Sequence, residues 1–265
     1  VVGAWISLTL ATALGFAAAG AAVPFWATPL ILICAMLTCG LLALVIERFA
    51  YRPLRGAPRL NVLITAIGVS LLLQNVGQLP FIFGTQPRAM PTLISAGELF
   101  RIGGVSITLI DVIGLSTSIA LMLALEFLVQ RTRLGRAMRA VSFSFKNAAL
   151  MGINVNAVIT FTFVLGAMLA GAAGLLYSQK YPSLNSTAHV GWVLLGLKAF
   201  VSAVVGGIGN IRGAMAGGFL IGLLEQFGSR YISSELRDVY VFALLIVVLL
   251  VRPSGLFGST AVEKV

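Results

Sequence analysis

Residues 25–46 read F-W-A-T-P-L-I-L-I-C-A-M-L-T-C-G-L-L-A-L-V-I without one charged side chain. A run of that kind has the length of a membrane-crossing helix, which takes about 20 mostly apolar residues. Seven further segments approach the pattern, at 1–22, 60–81, 108–129, 155–177, 192–205, 213–227 and 239–251. In lipid every backbone N–H and C=O must be satisfied within the protein, so repeated apolar runs of helical length predict an all-α polytopic membrane protein with about eight segments. Two of these, 192–205 and 213–227, are short. At 1.5 Å per residue they reach only about 22 Å against about 30 Å of hydrocarbon, so they read as offset or discontinuous helices.

Charge supports this class. Charged residues are 10% of the chain, and mean hydropathy is +1.03, whereas soluble domains carry about 25% charged residues. The net charge of +10 would point to nucleic acid in a soluble protein. Here the basic residues sit in short connections between apolar segments, as in cytoplasmic loops of membrane proteins, and nucleic-acid binding is excluded. Arg48, Arg52, Arg55 and Arg59 stand between the second and third segments; Arg131, Arg133, Arg136, Arg139 and Lys146 stand between the fourth and fifth. Two spans separate these connections, which places both on the cytoplasmic side. Counting onward makes 180–198 external, 208–212 internal, 228–238 external and the C-terminus cytoplasmic. The opening V-V-G-A-W-I-S-L-T-L reads as the middle of a membrane helix rather than a signal peptide. The expected organisation is one transmembrane domain over residues 1–258 and a cytoplasmic tail at 259–265.

Catalytic chemistry has little to work with. His189 is the one histidine, and neither H-E-x-x-H nor a phosphate-binding G-x-x-x-x-G-K is present. No metal site is predicted: Cys34 and Cys39 share one apolar segment and read as buried small hydrophobes. Asp111, Glu126 and Glu225 lie near segment ends and read as interfacial anchors, with Glu126 placed to snorkel or to pair with Arg131. Gln74 and Asn75 fall inside an apolar span, where their amides need partners; they either line a polar path or bond between helices. The piece at 82–107 is broken by Gly84, Pro87, Pro91, Gly97, Gly103 and Gly104. It reads as a solvated connection or a docking surface for an external partner, with a short strand or hairpin around 105–109.

Small residues give the strongest internal pattern. Gly166, Ala170 and Gly174 recur every four residues, as do Gly209, Gly213 and Gly217, a spacing that lets helix backbones approach closely. In V-V-G-G-I-G-N-I-R-G-A-M-A-G-G at 204–218, the glycines coincide with the gap between the two short segments. Gly206, Gly207, Gly209, Asn210 and Gly213 therefore form a candidate pathway wall, since irregular backbone at membrane depth is tolerated only against protein or a water-filled cavity. The basic stretch 131–156 adds a helix-compatible run, Asn147 to Met151, closed by Gly152.

Five blocks in order carry a resemblance over essentially the whole chain: I-E-R-F-A-Y-R-P-L-R at 46–55, T-A-I-G-V-S-L-L-L-Q-N at 65–75, R-x-G-R-A-x-R-A followed by L-M-G-I-N-V within 133–155, G-L-K-A-F-V-S-A-V-V-G-G-I-G-N-I-R-G-A-M-A-G-G from Gly196, and A-L-L-I-V-V-L-L-V-R-P-S-G-L-F-G near the end. With them the chain resembles the H-type permease subunits of ATP-binding-cassette (ABC) importers for branched-chain amino acids. The resemblance implies the ABC importer permease fold in a bacterial cytoplasmic (inner) membrane. The implied partners are a second permease subunit of a distinct, M-type paralogue, two cytoplasmic ATPase subunits, a periplasmic substrate-binding protein and the lipid bilayer. The chain itself would hold no cofactor, ATP and Mg being bound by the ATPase subunits. Arg136, Arg139, Phe143, Phe145, Asn147, Ala148, Leu150, Met151 and Gly152 would form the ATPase-coupling contact, and Gln74, Asn75 and the 206–213 residues the path. Relative to the family pattern about one N-terminal helix is missing, and the loop between Tyr181 and Lys198 is slightly longer. A secondary carrier or channel for small polar solutes would keep the same topology but follow an ion gradient.

Overall fold

The computed structural model describes residues 1–16, 24, 26–56, 58–93, 98–102 and 105–258; the expected tail at 259–265 and the end of the first segment lie outside them. The chain divides into two compact units, Val1–His189 and a second beginning at Val190. The first contains α1 (Val2–Ala13), α2 (Ala27–Ile46), α3 (Arg59–Gly77), α4 (Leu109–Arg131), α5 (Arg133–Phe143), α6 (Phe145–Leu150) and α7 (Val155–Lys180). The second contains α8 (Val190–Gly206), α9 (Ile211–Tyr231) and α10 (Arg237–Val251).

Four described helical stretches are long and apolar enough to cross a membrane: Ala27–Leu54, Leu60–Gly77, Leu109–Arg131 and Val155–Lys180. Val2–Ala13 and Val190–Gly206 are shorter apolar helices. The expected seventh segment is not short, because α9 runs for 21 residues. Arg212 and Gly228 look like boundaries in the sequence, yet the helix passes both. Asn210 caps its start by accepting from the Gly213 N–H at 3.1 Å. Gly228 sits so close to Tyr240 that an added Cβ would lie 2.4 Å from the ring, so the glycine serves packing rather than a break. The loop expected at 228–238 shrinks to the five residues between α9 and α10. Likewise the connection expected at 180–198 ends at Val190, and Lys198 lies midway along α8.

Within the first unit α7 packs lengthwise on α2, and α1 lies against both. Small residues make this possible, although only part of the four-residue series takes part and Gly171, outside it, joins in. Gly171 meets the Ala35 carbonyl and Cys39, and Gly174 meets the start of α1, while nothing lies within 4 Å of a Cβ placed at Gly166. Cys39 is buried and Cys34 half-buried, both as free thiols. By contrast α3 shows its apolar side chains, with Leu60, Leu63, Ile64 and Leu72 all more than half exposed.

The 82–107 piece is less solvated than a simple connection. Leu93 and Met90 are buried, the Leu93 N–H donates to Gln179 Oε1 at 3.0 Å, and Thr28 Oγ1 donates to the Leu93 carbonyl at 3.1 Å. Strand β1 (Arg88–Ala89) pairs antiparallel with β4 (Ser183–Leu184). The expected hairpin is present as β2 (Glu98–Ile102) and β3 (Val105–Thr108). It ends where Thr108 becomes the N-cap of α4, its hydroxyl 2.6 Å from Asp111 Oδ2 in a capping box.

Candidate functional site

The basic stretch after α4 is a helical corner rather than a loop. Thr132 caps α5 by accepting from the Gly135 N–H at 3.1 Å, and Gly135 lies against the Val129 and Leu128 carbonyls, where a Cβ would stand 2.2 and 2.3 Å away. The Arg139 guanidinium donates to the Val129 carbonyl, one of the acceptors freed at the end of α4. On α5 the residues Ala137, Met138 and Val141 recur at helical spacing on the inner side, with Arg133, Arg136 and Arg139 exposed. This periodicity was available in the sequence; the density of arginines masked it.

Ser144 separates α5 from α6 and caps the latter, accepting from the Asn147 N–H at 3.3 Å. Six residues are too few to hold a helix alone, so α6 depends on this cap and on packing. Ala148 supplies the packing: it is buried with Val141 and Val158, and Ala137, Met138 and Ile153 close around them. Gly152 then turns the chain at φ +79°, a left-handed conformation that other residues rarely adopt. The outward side is apolar. Phe143, Leu150 and Met151 are 89%, 79% and 82% exposed, and Phe145 and Asn147 are exposed beside them. Of the nine predicted coupling residues, Ala148 alone turns inward, anchoring α6 instead of reaching a partner. Arg136 is exposed on the rim.

The predicted pathway residues fall into two places, each of which has a local account. Gln74 donates to Ser70 Oγ at 3.2 Å and Asn75 to the Leu71 carbonyl at 2.8 Å, so both amides are satisfied along their own helix, with Asn75 exposed. In the second unit Gly206 and Gly213 meet backbone to backbone. A Cβ on Gly206 would stand 2.0 Å from the Gly213 carbonyl oxygen, and one on Gly213 would stand 2.4 Å from that of Gly206. The C-terminal P-S-G-L-F-G segment folds onto this turn. Leu256 N–H donates to the Val205 carbonyl at 2.9 Å, Phe257 N–H to that of Gly206 at 3.1 Å, and the Asn210 amide to the Phe257 carbonyl at 3.0 Å. Gly207 and Gly209 take positive φ, 108° and 94°; Gly207 is hemmed by Gly258, while Gly209 faces open space.

The three acidic residues expected as interfacial anchors, Asp111, Glu126 and Glu225, each have a partner. Glu126 is 6% exposed and accepts from Gln130 Nε2 at 3.0 Å, so it is buried rather than snorkelling. Glu225 is no lone anchor: Lys198 Nζ lies 2.6 Å from its carboxylate and 2.6 Å from that of Asp238, with Arg237 Nε 2.9 Å from Glu225. Asp111 pairs with Lys180 at 2.6 Å. The sequence reading missed Glu47, which is 1% exposed at the end of α2 and pairs with Arg55. Its signal was a single acid among three arginines in the block at 46–55. A cavity of about 620 Å³ lies between α2, α3 and α7, lined in part by Ile46, Tyr51, Ser70, Thr162, Phe163 and Gly166. Among the described residues no group of three or more His, Cys, Asp or Glu could hold a metal ion.

A family model described as the permease component of branched-chain amino acid transport systems matches residues 2–249. The chain is 45% identical over 224 residues to the high-affinity branched-chain amino acid transport permease LivH of Escherichia coli K12, covering 83% of this chain and 71% of that one. It is 44% identical over 223 residues to the corresponding BraD protein of Pseudomonas aeruginosa, with the same coverage. A probable permease of the same kind from Methanocaldococcus jannaschii is 26% identical over 273 residues, 97% of this chain and 80% of its own. No solved structure matches the chain.

Proposed function

Because the chain belongs to the branched-chain amino acid transport permease family, we propose that it is the membrane-spanning subunit of an ABC importer that carries branched-chain amino acids into the cytoplasm. It is a transport subunit, not an enzyme. In this reading it sits in the bacterial inner membrane with eight apolar segments in the ABC importer permease fold and a cytoplasmic C-terminus. It works beside a distinct permease subunit, two ATPase subunits that bind ATP and Mg, and a periplasmic binding protein that delivers substrate.

The observation that carries the proposal is the apolar outer side of α5–α6, Phe143, Phe145, Leu150 and Met151, on a basic corner with no acidic residue from Arg131 to Asn156. Side chains so exposed gain about 25 cal/mol for each Å² taken from water when a partner covers them. They are held by a helix that is capped, packed through Ala148 and joined to α7 through only a short turn. A displacement of the partner is therefore delivered to the start of a 26-residue helix. A nucleotide state that binds one arrangement of this corner better than another shifts the permease toward it, and no charge of the permease has to cross the membrane.

Gln74 and Asn75 and the stretch Gly206, Gly207, Gly209, Asn210 and Gly213 are proposed to border the path. Cysteine at Ile208, which is exposed in the same turn, probes this; failure to label from either side of the membrane argues against it. The coupling proposal is tested in vesicles holding the complete complex. Leu, Ile or Val, delivered by the binding protein, should stimulate ATP hydrolysis, and Leu150→Asp should abolish uptake while the protein stays in the membrane. Normal transport by that variant would refute the assignment.

A further inference from the structure

Glu47 opens a five-residue π-helical turn, Glu47–Tyr51, that continues α2, a local widening frequent at functional sites. Its two carboxylate oxygens have separate partners. Oε1 accepts from Arg55, which also donates to Asn156 Oδ1. Oε2 lies 2.8 Å from Thr160 Oγ1, a hydroxyl that can donate either to it or to the Asn156 carbonyl at 2.9 Å. Asn156 and Thr160 are one turn apart at the start of α7. Val158 lies between them in sequence, about 200° around the helix from each, and is buried against Val141 of α5 and Ala148 of α6. The first turns of α7 are therefore held on one side by the apolar core of the α5–α6 corner and on the other by the Glu47 carboxylate.

We infer that Glu47, oriented by Arg55, is a positioning residue that ties the end of α2 to the start of α7, so that α2 follows when α5–α6 is displaced. This role rests on the reading of the chain as an ATPase-coupled permease. The chemistry suits transmission better than an apolar contact would. Apolar surfaces can slide, whereas charge-assisted hydrogen bonds are directional and are either made or broken. Burying a carboxylate and a guanidinium together is weak evidence for added stability, since a well-packed apolar pair often serves as well. Its selection here is explained by the need for two linked helices to keep one register through a movement.

The test measures substrate taken up per ATP hydrolysed by the complete complex in vesicles. Glu47→Gln should lower that ratio about tenfold, a size typical of coupling between sites. Thr160→Val, which removes the direct bond from α7 to Glu47 but leaves that from Arg55 to Asn156, should lower it less, and Glu47→Asp, which keeps the charge, should retain more coupling than Glu47→Gln. All three are compared at equal amounts of assembled complex in the membrane. An unchanged ratio in Glu47→Gln and Thr160→Val overturns the inference. So does a loss of uptake and hydrolysis in constant proportion, which would make the cluster merely structural. Wild-type vesicles that transport without ATP would instead overturn the coupled-permease reading, and this role with it.

Discussion

The α5–α6 corner and the α8–α9 turn both join long helices through stretches rich in glycine and capping residues, and they do opposite things with them. At the α8–α9 turn the glycines bring backbone against backbone, and the C-terminal segment closes over them with hydrogen bonds to Val205 and Gly206. At the corner, glycine and capping residues hold a short helix in place so that large apolar side chains remain uncovered. The first region turns its special residues on its own chain; the second leaves large apolar side chains exposed, as the proposed ATPase contact requires. A motif rich in glycine is thus not by itself a site, and a basic loop is not by itself only a topology signal.

Substitutions separate the two. The largest effect is expected at Gly206→Val, where a side chain would meet the Gly213 carbonyl; overpacking typically costs 1–3 kcal/mol and here at least about 3, read as loss of folded protein from the membrane. Arg139→Glu should abolish uptake, because it reverses charge on the rim and removes the donor to the Val129 carbonyl, with protein level the control. Phe143→Ala removes one exposed anchor and should weaken ATPase binding by about 1–2 kcal/mol without altering the thermal midpoint of the permease alone. Asn210→Ala should lower stability by about 1 kcal/mol through loss of the α9 cap, seen as a lower unfolding midpoint. Asp111→Asn, at an ion pair whose Lys180 side chain is 56% exposed, should change stability by less than about 1 kcal/mol. A result in which Phe143→Ala destabilised the isolated permease and Gly206→Val did not would erase the distinction.

Much of the α5–α6 corner was legible in advance. The charge of 131–146, the helix-compatible run after it and the stop at Gly152 can be read from residue types, because capping and left-handed turns are local physics. That Ala148 points inward while Leu150 points outward was not legible, since an alanine fits either surface. Nor was the pairing of Glu47 with Arg55. They are eight residues apart, too far for neighbours on a regular helix, and a π-turn and a 3₁₀ turn, Arg52–Leu54, bring them together. Lys198 looked like a loop residue because a charge in an apolar stretch reads as its end. Glu225 and Asp238, 27 and 40 positions further along, let it stay inside α8.

The sequence by itself determined that this chain is a helical membrane protein, because apolar run length and backbone hydrogen bonding leave no other solution in lipid. It also determined the family, through five blocks in a fixed order. Only the tertiary structure decided where α9 ends, which glycines meet another backbone, and which carboxylates are buried with partners. Those outcomes depend on residues distant in the chain, and the free energy of a buried charge or a bare glycine is set by what is placed against it rather than by its neighbours in sequence.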